Sequence, residues 1–150
     1  MTPVTADART VFTLEAVNAL VPRLRALVGA QMERRSDIER RLEQLAELMG
    51  RSLETIRVDD LDPPDVRVLK RELLERIDAY RRGWGEIENM GAVLKDPRSG
   101  LVDFYGRVDG KLVWLCWKYG EEAVSHYHSL DEGFVGRKSI EPTMRHRHLN

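Results

Sequence analysis

With 150 residues, the chain is long enough for one domain with a modest core. Its 24 basic residues are balanced by 25 acidic ones, so the basic surplus of a nucleic-acid binder is missing, and the single cysteine, Cys116, excludes an internal disulfide framework. At 42% hydrophobic and 33% charged residues, the composition fits a soluble, helix-rich protein with long solvated faces.

The opening MTPVTADART lacks the apolar centre of a secretory signal, and the longest apolar runs, such as Val113 to Cys116, are far too short to span a bilayer. These features predict a cytoplasmic protein with flexible tails and no membrane partner. VFTLEAVNALVPRL then opens a helix, with Thr13 as N-cap and Glu15 in the first turn. Val17, Leu20, Leu24, Leu27, Gln31, Arg34, Ile38, Leu42, Leu45 and Leu48 recur at spacings of three and four, which is one helix face. Gln31 and Arg34 interrupt it and suit a wet seam. Pro22 predicts a short first helix or a kink, and Gly50 a C-cap.

RSLETIRVDDLDPP reads as a connector, its prolines placed for a second helix start. Val66, Leu69, Leu73, Ile77, Tyr80, Trp84, Ile87, Gly91 and Leu94 form the second stripe, which Asp96-Pro97-Arg98-Ser99-Gly100 ends. Gly83, Gly85 and Gly91 weaken its second half and allow another backbone to approach. The result is a long antiparallel helical hairpin over about residues 13–95. Two such helices bury only their shared seam, so a second copy is expected to cover the rest, as a homodimer with a coiled-coil or four-helix arrangement. ERRSDIERR and KRELLER alternate charge, as solvated faces do.

LVDFYG and KLVWLCW flank a turn containing Asp109-Gly110, a strong hairpin signal. Both faces of KLVWLCW are apolar, so it is expected to be a central strand. YGEE leads to a third strand, AVSHYH, giving a three-stranded antiparallel β-meander over about residues 101–140 of a single α+β domain. A turn at Gly120-Glu121 would set Leu115 against His126 and Val113 against His128, with Cys116 on the other side of the sheet. That register disfavours a Cys-His pair unless a bulge shifts it by one.

FTLEAVNALVPRL, LKDPRSGLVDF, LCWKYGE and HSLDEGFVGR together resemble domain-of-unknown-function family 2203, a bacterial family, over most of the chain. The resemblance implies architecture and no established activity. Similar sequences carry tryptophan-histidine before the aspartate; Tyr127-His128 stands here, so His128 follows the family pattern and His126 is particular to this chain.

His126 and His128, with Asp131 and Glu132 close behind, are ligand types that zinc, iron or nickel prefer. Glu121, Asp103 or Glu88 would complete such a divalent transition-metal site. The competing reading has His128 bonding a backbone carbonyl or Asp131 and pinning the loop. In SLDEGFVGR, Gly133 and Gly136 permit positive φ, Phe134 plugs the core, and Arg137 clamps Asp131 or Asp103 or forms an anion pocket. Cys116, between Trp114 and Trp117, reads as buried and inert. In the tail TMRHRHLN, His146 and His148 would bind metal weakly. No catalytic set assembles, so the leading expectation is a non-enzymatic binding module acting through its helices. A metal-binding protein or metal-dependent enzyme centred on His128 is the alternative.

Overall fold

The computed structural model describes residues 10–140; the readings on the tails, including His146 and His148, lie outside them. Helix α1 spans Leu14–Met49 and α2 spans Pro64–Glu88, followed by strands β1 Val93–Asp96, β2 Leu101–Val108, β3 Lys111–Lys118, β4 His126–His128 and β5 Lys138–Ser139. The fold is α+β, with one antiparallel sheet of five strands in chain order. Two compact units emerge among the described residues: one from 10–28 together with 87–140, the other Gly29–Glu86.

Helix α1 begins where its cap places it, with Ala16 N donating to Thr13 Oγ1 at 3.1 Å. It ends at a left-handed Gly50 (φ 72°), as Arg51 N donates back to Ala46 O. Pro22 neither shortens nor divides it. Pro22 itself lies on the exposed side of the helix, away from the buried Val21 and Leu24.

In the unit Gly29–Glu86, Ile38 and Leu45 of α1 form a core with Val66, Leu69 and Leu73 of α2. Gln31 bonds Tyr80 while Arg41 pairs with Glu72, so the two segments run in opposite senses. The apolar stripe of α1 is narrower than its sequence: Leu42 and Leu48 are exposed. Gln31, expected at a wet seam, is fully buried. Its Nε2 donates to Tyr80 O, and its Oε1 accepts from Arg34 Nη1, each at 2.6 Å. Gly83 makes this approach feasible, because a Cβ there would overlap the Gln31 amide. Buried Lys70 ties the connector to α2 through Arg57 O at 2.8 Å and Asp62 Oδ2 at 2.7 Å.

The other unit holds the start of α1 and the sheet. Helix α2 stops at Glu88, several residues before the expected end, because Gly91 turns left-handed (φ 103°) and admits the Phe12 ring where a side chain would stand. Leu94 therefore lies in β1, and the DPRSG segment becomes the β1–β2 turn, closed by the Ser99 hydroxyl donating to Asp96 Oδ2 at 2.7 Å. The sheet thus has five strands where three were expected. One of the extra strands came from a segment read as helix, and the other, β5, is two residues long, too short to show a period of two. Asp109 (φ 52°) and Gly110 (φ 82°) form the two-residue turn between β2 and β3. Strand β3 is central and buried from Val113 through Trp117. Phe12 packs edge-on against Phe104, at 5.3 Å between centroids, on the face opposite Asp103 and Tyr105.

The β3–β4 register differs by one residue from the expected one: Trp114 faces His128, Leu115 faces Tyr127 and Cys116 faces His126. Asn18 of α1 supplies the reason. Its Oδ1 accepts from Val124 N at 2.7 Å and its Nδ2 donates to Val124 O, so this residue cannot extend the ladder towards β3. The connector is therefore longer than a tight YGEE turn, and β4 begins only at His126.

Candidate metal centre

Because successive strand residues alternate sides, the observed register puts both histidines on the face that carries Cys116 and Trp114. On that face Asp103, Cys116 and His126 form one row across β2, β3 and β4, while His128 stands in the neighbouring row opposite Trp114. Asp103, Cys116 and His128 each direct one donor atom into a common space, with these atoms within 4.8 Å of one another. Asp103 and Cys116 are fully buried and His128 is 2% exposed.

Hydrogen bonding defines the imidazole. His128 Nδ1 lies 3.0 Å from the Ser129 carbonyl, which can only accept, so Nδ1 carries a proton. Nε2 lies 2.9 Å from Asp103 Oδ2, and one proton must lie between them. Whether it belongs to the carboxyl or the imidazole, the pair is neutral overall, which is what burial favours. Asp103 Oδ1 is buried without a hydrogen-bond partner among the described residues.

Burial pushes the Asp103 carboxyl above its ordinary range, opposed chiefly by His128, then by the Cys116 thiol and Lys95. The Cys116 thiol is pushed up to about 12, by burial first and then by the Asp103 carboxylate, with Arg137 pulling the other way. As an isolated thiol it is inert, as its sequence neighbours implied. Its spatial neighbours are nevertheless an acid and an imidazole, contrary to the expected separation of cysteine from histidine.

The other residues singled out in the sequence are committed elsewhere. His126 Nδ1 meets Ser125 Oγ at 3.1 Å. Asp131 Oδ1 lies 2.7 Å from Ser129 Oγ, a bond that holds its carboxyl below the usual range, and Glu88 is exposed. Glu121 accepts from Lys118 N and, at 2.8 Å, from Arg137 Nη2. Arg137 thus clamps Glu121, not Asp131 or Asp103. Phe134 does not plug the core; it is 41% exposed beneath the Arg137 guanidinium. Gly133 and Gly136 are not among the residues with positive φ. His128 does bond a backbone carbonyl, and its acidic partner is Asp103 instead of Asp131.

Cys116 as a member of the cluster escaped the sequence reading. The legible signal was Asp103: an acid at an inward position of LVDFYG, flanked by buried residues, requires a partner.

A family model described as "Uncharacterized conserved protein (DUF2203)" matches residues 10–140. No curated protein and no solved structure matches the chain.

Proposed function

We propose, for a chain that belongs to the DUF2203 family, that it binds a divalent transition metal, zinc above all, through Asp103, Cys116 and His128. The observation that carries this reading is the buried convergence of a carboxylate, a thiol and an imidazole. Deprotonated Asp103 and Cys116 with neutral His128 supply two negative charges, which a divalent ion balances inside a buried site. His128 and Asp103 would give up the proton they share on holding the ion, and Cys116 would be held as thiolate by its charge. The Ser129 carbonyl on Nδ1 orients the ring as carbonyls behind metal-bound histidines do. The three donor atoms, within 4.8 Å of one another, would have to rearrange to hold one ion in common.

Elemental analysis of the full chain carrying His146→Gln and His148→Gln, dialysed against zinc, tests the assignment. About one zinc per chain is expected, lost in Cys116→Ala and in His128→Ala. Cobalt in place of zinc should show a thiolate charge-transfer band that Cys116→Ala abolishes. Absence of bound metal, or metal that disappears with the tail histidines alone, overturns the reading.

A second reading rests on the helical hairpin of the unit Gly29–Glu86. Leu48 and Val68, 50% and 54% exposed, line an open groove of about 800 Å³ with Leu69 and Pro64. This supports self-association through the helices. Light scattering tests it: a dimer that Leu48→Glu/Val68→Glu converts to monomer is expected, and a wild-type monomer overturns it.

A further inference from the structure

The three donor side chains are shut off from solvent, so an ion reaches them only if something moves. The segment between β4 and β5 is the part of this unit best suited to move. It leaves β4 at Ser129 and returns to pair with it as β5, His126 opposite Ser139. Between these anchors none of Phe134, Val135 and Gly136 is buried, and Val135 is 99% exposed. Few buried contacts mean a low free energy of local opening.

What holds the segment is specific. Arg137 Nη2 donates to Glu121 Oε2 at 2.8 Å, with the arginine side chain only 10% exposed. The same guanidinium stacks on Phe134 at 4.6 Å, and Lys118 Nζ stands over that ring at 5.3 Å. Lys118 is two positions from Cys116 on the same sheet face, and the Arg137 charge acts on the Cys116 thiol. Glu121 is fixed in turn, since its carboxylate accepts from Lys118 N and its carbonyl from Trp117 Nε1. A rigid acid on one side and an arginine on a weakly packed segment on the other form a catch.

We infer that residues 129–137 are a strap over the Asp103–Cys116–His128 cluster, latched by the Arg137–Glu121 ion pair, and that release of this latch sets the rate at which a divalent metal enters and leaves. The inference rests on the metal-binding reading for its ligand but not for its motion. It distinguishes a latch from a ligand: latch residues change both rates together and leave equilibrium affinity alone.

The test uses the full chain with Glu121→Gln/Arg137→Gln, which removes one charge of each sign. Zinc release into excess chromogenic chelator should accelerate about five- to tenfold, with Kd unchanged within about threefold. Phe134→Ala, a change at an exposed ring, should accelerate release in the same direction by less. In metal-free protein, alkylation of Cys116 should rise by a similar factor while the urea midpoint stays near wild type. Faster alkylation in a chain that holds no zinc would support the strap and remove the metal. Zinc bound by all variants with release and alkylation unchanged would overturn the strap. Loss of zinc stoichiometry in the double variant would make Glu121 a ligand and equally overturn it.

Discussion

His128 and Asp103 lie 25 positions apart in sequence and meet at 2.9 Å, both withdrawn from solvent. Each is the reason the other can be buried. His128→Leu strands an acid in the sheet and should lower stability by about 3 kcal/mol in urea unfolding of metal-free protein. Asp103→Val/His128→Leu removes both polar groups and should lose less than His128→Leu alone. A double variant weaker than the single one would show that the two do not act as a unit.

The raised Asp103 carboxyl has a definite consequence for pH. Its folded value lies above the ordinary 3.8, so between the two the native state holds more protons than the unfolded chain. Its contribution is complete below the ordinary value and is lost as pH rises through the folded one. The stability difference, wild type minus Asp103→Asn, should therefore shrink as pH is raised from about 4 in metal-free protein. Asp62 and Asp131, whose carboxyls are held low mainly by Lys70 and Ser129, contribute in the opposite sense, losing their effect as pH falls, and cancel in this difference. A difference that grows with pH would mean that His128 stabilises an ionised Asp103 more than burial penalises it.

Gly83→Ala is a change that normally favours a helix by about 0.5–1 kcal/mol. Here the sign should reverse, with a loss of about 1–3 kcal/mol, because the methyl group overlaps the buried Gln31 amide. Gln31→Ala should relieve much of this loss when combined with Gly83→Ala. Thermal unfolding of the four proteins closes the cycle, and a stabilised Gly83→Ala would refute the close approach.

Asn18→Ala should expose the Val124 amide to hydrogen exchange and cost about 1–3 kcal/mol, the range for leaving a buried amide without its acceptor. Exchange at Val124 as slow as in wild type would show that another group holds the connector.

Local chemistry made the ends of the elements readable: Thr13, Gly50, Pro64 and Asp109-Gly110 each perform the role their residue type dictates. The centrality of β3 was readable because both of its faces are apolar. The register of β4 was not, since it depends on Asn18, 106 residues from Val124, and no local pattern reports such a bond. The same cause hid the cluster. Asp103, Cys116 and His128 lie on three strands, and only the register decides whether cysteine and histidine share a face. The end of α2 was misjudged for a related reason: Leu94 continues the helical spacing by coincidence, while Gly91 breaks the helix to admit Phe12.

The connector between β3 and β4 behaves like a reading frame. Adding or deleting one residue between Val124 and His126, past the point that Asn18 holds, would leave a ladder able to form while exchanging its contents, with Tyr127 brought to the acid-bearing face and both histidines sent to the opposite one. Changes of two residues would restore the phase. Length variation in this stretch is therefore constrained in parity more than in amount, and a chain that breaks the parity could keep its fold and lose the cluster in a single step.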